Sequence, residues 1–197
     1  MSKRDTREII IDAAEKIFFT NGFEKTSVKM ILAEANVVTG SFYHFFPSKE
    51  ALFESVIERF LKNYTDRVTN IFTDKNLKLK EKIINFFMEL NRSSEIYYNV
   101  LEGDKLHWTV QCALHEKTME ALVSPVSQLV SGLIESGTVQ SKLDVDADTL
   151  SKILIKGSEA VIHGENEYGA KLFISDKIKK DLTDFYMLIL NINDMEK

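Results

Sequence analysis

A chain of 197 residues, 44% apolar and 28% charged, is too apolar to stay disordered and long enough for one large domain or two smaller ones. Its single cysteine, Cys112, excludes an internal disulfide and any multi-cysteine zinc site, and no apolar run approaches the roughly 18 residues needed to cross a bilayer. The net charge of −5 lies wholly beyond residue 62, because residues 1–62 carry nine basic and nine acidic side chains. A neutral N-terminal third still allows DNA binding if its bases cluster on one face.

Two prolines and eight glycines favour long helices over strands and turns. Ile9, Ile10, Ala13, Ala14, Ile17 and Phe18 form one stripe of a helix from about Asp5 to Asn21, which Gly22 can close. Thr26-Ser27 supplies an N-cap for a short helix to about Glu34, and Ala35-Asn36-Val37 makes a tight turn. A third helix follows to about Phe45, before Pro47 breaks the chain and Ser48 caps a fourth. The stripe Leu52, Phe53, Val56, Ile57, Phe60, Leu61 and Tyr64 makes that helix long, to about Phe72. It is expected to join a first domain, residues 1–48, to a second, residues 49–197.

Beyond Asp74 the helical period continues. Ile83, Ile84, Phe87 and Leu90 mark one helix, the region around 96–120 one or two more, and Leu122 to Ile134 another, interrupted or begun at Pro125. Residues 137–145 read as the longest loop. Two last helices are expected at about 146–164 and 176–192.

Residues 27–46 have the spacing of two short helices joined by a tight turn, with Val28, Ile31, Leu32, Val37, Phe42 and Phe45 to hold them against the first helix. The second helix of such a unit enters the major groove, where small residues near its start approach base edges. Thr39, Gly40 and Ser41 stand there. Tyr43 and His44 follow one turn later, where polar-tipped aromatics reach phosphates, and Lys49 opens the next helix, whose N-terminus favours an anion. Thr26 and Ser27, at the start of the second helix, complete the expected DNA-facing set. Gly40 is costly inside a helix unless something must approach the backbone closely.

The stretches Gly22 to Val28, Ile31 to Ala35 and Gly40-Ser41-Phe42-Tyr43-His44-Phe45-Phe46-Pro47-Ser48-Lys49-Glu50-Ala51-Leu52-Phe53 resemble the DNA-binding domain of the tetracycline-repressor (TetR) family over roughly residues 5–60. Three positions depart from that family's pattern: Asn36 replaces a glycine, Leu32 an alanine, and Val38 the serine that commonly caps the recognition helix. The resemblance implies an all-α homodimer with an N-terminal three-helix reader and a larger domain for ligand binding and dimerisation. It also implies a repressor that grips a palindromic double-stranded operator and is released by a small, apolar or aromatic effector. The last two helices would then pair with their mates in the dimer.

In the second domain the stretch from His107 to His115 is richest in polar and aromatic groups, and His107, Gln111 and His115 fall on one helical face. With Trp108 they form the expected effector contact, set against a plain surface or satisfied histidine face. No metal or cofactor is expected, since no carboxylate sits at an obvious ligand spacing. His163-Gly164-Glu165 imitates a zinc-deaminase motif, but no cysteine follows Cys112 to complete it. A helical enzyme, or an adaptor with a degenerate helix-turn-helix, is the alternative. Without a signal-peptide core the chain is expected in the cytoplasm, away from membranes.

Overall fold

The structure, a computed structural model, describes residues 5–100, 108–164 and 174–192, with side chains except at 97–100 and 108–113. Among these residues the chain is a set of eight helices with one small ribbon. Helices α1 (Thr6–Asn21), α2 (Val28–Ala35) and α3 (Thr39–Phe45) precede the 25-residue α4 (Lys49–Thr73). Then come α5 (Leu79–Val100), α6 (Trp108–Glu135), β1 (Val139–Ser141), α7 (Ala147–His163), α8 (Asp176–Ile189) and β2 (Leu190–Ile192).

Local chemistry sets most of the helix ends. Asp5 accepts from the Arg7 amide, Ser27 from Met30, Ser48 from Ala51, Asp146 from Thr149 and Ser175 from Ile178. Each satisfies one amide that a helix start leaves unpaired. Asn36 adopts the left-handed conformation, φ 52°, that lets the chain turn between α2 and α3. Val38 stands at the N-cap of α3 and offers no side-chain bond, as valine must.

The core of the N-terminal helices gathers Ile10, Ile11, Ala14 and Phe18 from α1, Ile31 from α2, Phe42 from α3, and Leu52, Phe53, Val56 and Ile57 from α4. It does not close on itself. Leu114 of α6 is buried in the same cluster, with Ile96 of α5 packed against it. Farther along α4, Tyr64, Val68 and Phe72 meet Leu122 of α6 and Ile155 of α7 in a second core. Helices α7 and α8 pack closely where Gly157 lies beneath Phe185. A Cβ on Gly157 would fall inside the space of that ring.

The structure departs from the sequence expectations in two elements. Helix α6 runs unbroken through Pro125, which is buried at its middle. Proline removes one helical hydrogen bond and usually kinks a helix, yet Leu122, Val126, Leu129 and Val130 on its flanks are held in the cores around it. The second departure is in 137–145, expected as a loop, and in the end of the last helix. Helix α8 stops at Ile189, and Leu190–Ile192 pairs antiparallel with Val139–Ser141, Val139 opposite Ile192. Buried Val139 and Leu190 join the core shared by α6, α7 and α8, which anchors this ribbon.

Candidate nucleic-acid interface

Helix α3 turns Phe42 inwards, fully buried, and leaves Thr39, Gly40, Tyr43 and His44 exposed with Ser41 half-buried. The inner ring fixes the outer ones. Phe42 meets Tyr43 edge-on at 5.1 Å between centroids, and Phe45 meets His44 at 4.7 Å. Tyr43, 57% exposed, therefore stands braced on the surface. A Cβ built on Gly40 would meet nothing within 4 Å, so the packing of the chain does not require a glycine there. Exposed Ser27 spends its hydroxyl on the Met30 amide as the α2 cap, at 3.3 Å.

Two members of the expected set serve the chain itself. Thr26 is buried, and its hydroxyl donates to the Gly22 carbonyl at 2.7 Å, so its side chain does not face outwards. Lys49 donates to the carbonyls of Phe23 at 3.0 Å and Thr26 at 3.1 Å, with its ammonium 4.0 Å from the Phe23 ring centre. Two of the three ammonium donors thus brace the turn before α2. Both contacts are to backbone atoms across a turn, which residue spacing does not reveal. The structure also adds Val38, 72% exposed at the mouth of α3, which sequence showed only as a missing cap. Its signal was a β-branched apolar residue at a position with no core to join.

Of the expected effector contacts, His107 lies outside the described residues, as do the side chains of Trp108 and Gln111 on α6. His115 is described. Its Nε2 lies 2.8 Å from Glu159 Oε1 on α7, and its ring meets that of His163 edge-on at 5.1 Å. Lys156 reaches the other Glu159 oxygen at 3.1 Å. Burial alone would raise the Glu159 pKa, but the hydrogen bonds from His115 and Lys156 outweigh it and hold the carboxyl below its ordinary value. His115 is thus tied into a polar contact between α6 and α7.

A different polar group stands in the middle of the second core. Tyr64 is 1% exposed among Val68, Phe72, Leu122 and Ile155, and its hydroxyl has no hydrogen-bond partner among the described residues. Burial pushes this phenol up, and the nearby Glu89 carboxylate adds to the shift. Glu89 is itself buried and satisfied, accepting from Arg67 Nε at 2.7 Å and Ser93 Oγ at 2.9 Å. Sequence period marked Tyr64 as core and gave no sign that its hydroxyl would be left over.

Residues 10–56 match the sequence profile of bacterial regulatory proteins of the tetR family. The HTH-type transcriptional regulator YerO of Bacillus subtilis is 22% identical over 203 residues, 88% of this chain and 70% of YerO. The HTH-type transcriptional repressor NemR of Escherichia coli is 30% identical over 88 residues, 45% of this chain and 44% of NemR. Residues 10–56 are thus a DNA-binding domain of the tetR type. Beyond the profile the likeness is one of fold. The structure of SmeT, the repressor of the Stenotrophomonas maltophilia efflux pump SmeDEF, superposes with a TM-score of 0.62 over 98% of this chain and 94% of SmeT, at 16% identity. The protein is a transcriptional regulator of all-α architecture with an N-terminal helix-turn-helix domain of that type. No helix among its described residues is long and apolar enough to cross a membrane.

Proposed function

We propose that the protein is a homodimeric repressor that binds a palindromic operator and leaves it when a small apolar or aromatic molecule binds the C-terminal helices. The observation that carries the DNA half is the outward face of α3, where Thr39, Gly40, Ser41, Tyr43 and His44 share one surface and nothing among the described residues covers Gly40. In this reading Thr39, Gly40 and Ser41 approach base edges and Val38 offers a methyl contact of the kind that distinguishes thymine. Tyr43, His44 and the third donor of Lys49 hold phosphates, and Ser27 lies beside the backbone. Two-fold symmetry doubles the few base pairs that one such helix reads. Met187 and Leu188, 48% and 74% exposed on α8, support pairing of the last helices with a second copy.

The effector half rests on the second core. An apolar surround with one or a few orienting polar groups is the usual design of a small-molecule site, and Tyr64 supplies an unused donor within it. Among the earlier effector candidates, His107, Trp108 and Gln111 enter this reading by sequence alone, and His115 as the contact of α6 with α7. An effector can act on DNA only by binding two dimer states unequally. Helix α4 carries both Lys49 and Tyr64 and is the physical link between them.

Selection of duplexes from a random pool tests the proposal. The expected winners are inverted repeats with half-sites about 34–36 Å apart or somewhat more, bound by a dimer with an affinity that falls steeply with salt. Equal affinity for all duplexes, or a stable monomer by light scattering at micromolar concentration, would overturn it.

A further inference from the structure

Helix α1 carries three carboxylates, Glu8, Asp12 and Glu15, on successive turns of the side that meets α4, and a single α4 cation gathers them. The Arg59 guanidinium lies 2.7 Å from Asp12 and 3.6 Å from Glu8 through Nη1, and holds Glu15 through Nη2. Its side chain is 22% exposed, so these contacts are less open to screening salt than a surface pair. On the same seam Arg7 of α1 reaches Ser55 of α4 at 3.4 Å and lies 5.4 Å from the centre of the Phe46 ring.

Beneath the seam α1 and α4 share the apolar core. Apolar burial keeps the helices together but is not directional, so it resists separation more than it resists sliding or turning. A guanidinium fork spread over carboxylates on different turns is directional. The three acids also repel one another along α1, as like charges four residues apart do, and Arg59 offsets that repulsion together with Arg7, which lies 3.2 Å from Glu8. Helix α3 is packed on the same core through Phe42 and contacts α1.

We propose that Arg59 is a positioning residue for operator reading: its grip on Glu8, Asp12 and Glu15 fixes the register of α1 on α4, and so the separation and rotation of the two α3 helices in the dimer. This rests on the reading of the protein as a dimeric DNA-binding regulator.

The test uses the full-length chain and a duplex selected by it, remade with one base pair added to or removed from the spacer. Each base pair moves a half-site by about 3.4 Å and turns it by about 35°. The native protein should lose about tenfold in affinity for either altered spacer, comparable to one mismatched base pair. Arg59→Lys keeps the charge without the fork, and Arg59→Met removes both. Each should bind the three spacers within about threefold of one another, while affinity for an isolated half-site duplex stays native. Glu15→Gln removes one anchor by a milder route and should give an intermediate profile should Arg59→Met fail to fold. A native spacer profile in Arg59→Lys and Glu15→Gln, even with a lowered melting temperature, would overturn the positioning role while leaving the regulator reading intact. A native chain that selects no duplex would overturn both.

Discussion

Replacing Gly40 by alanine should make the protein slightly more stable and a poorer DNA binder. Gly40 is the second residue of α3, and a Cβ there meets nothing within 4 Å, so no clash offsets the conformational gain. Glycine to alanine is worth about 1 kcal/mol in a helix interior, and a first-turn position realises roughly half of that. With a urea slope of about 1–3 kcal/mol/M, the midpoint should rise by about 0.2–0.5 M. The same methyl group would stand between the α3 backbone and DNA, at a cost comparable to one mismatched base pair, about 1–3 kcal/mol. Urea denaturation and fluorescence anisotropy on a selected duplex at fixed salt read the two effects separately. A variant at least as stable as the native chain, with undiminished affinity, would refute the placement of DNA against the start of α3. A destabilised variant would refute the open space around Gly40.

Tyr64→Phe removes a buried hydroxyl that has no partner among the described residues and should stabilise the effector-free protein by about 1 kcal/mol, visible as a higher urea midpoint; a loss of stability would show that the hydroxyl is bonded. Gly157→Ala drives a methyl group into the Phe185 ring and should cost about 1–3 kcal/mol. Adding Phe185→Leu should recover much of that, and no recovery would place the strain elsewhere. For Glu159 the folded carboxyl sits below its ordinary value of 4.5, so its contribution is present above that value and is lost as pH falls through the folded one. Glu159→Gln should therefore lower the urea midpoint near neutral pH, with the difference closing in acid, once the pH has fallen below the folded carboxyl's range. A difference that persisted there would exclude the carboxylate as its source.

Local signals were the legible ones. Ser27, Ser48 and Ser175 cap helices because a hydroxyl bonds amides two or three residues away, and Asn36 takes the left-handed turn because its own side chain tolerates it. The exposed face of α3 followed from the same period that buried Phe42. What sequence hid depends on distant partners. The ribbon pairs Val139–Ser141 with Leu190–Ile192 across the whole of α7 and α8, and three-residue strands carry too few positions to show a period. Pro125 reads as a breaker by local rule, and packing on both sides of α6 overrides it. Lys49 and Thr26 look like surface polar residues until the fold brings carbonyls to them.

Leu114 and Ile96 give the protein a constraint on its ancestry and its engineering. Both come from beyond α4, and both complete the core of the helices that carry α3. A fragment ending at the close of α4 would leave that core with an apolar gap, so it should be soluble only poorly and melt early. The two halves should accordingly denature in a single cooperative transition. Grafting this DNA-binding head onto a foreign sensor would succeed only if the new partner brought its own pair of apolar side chains to the same two sockets.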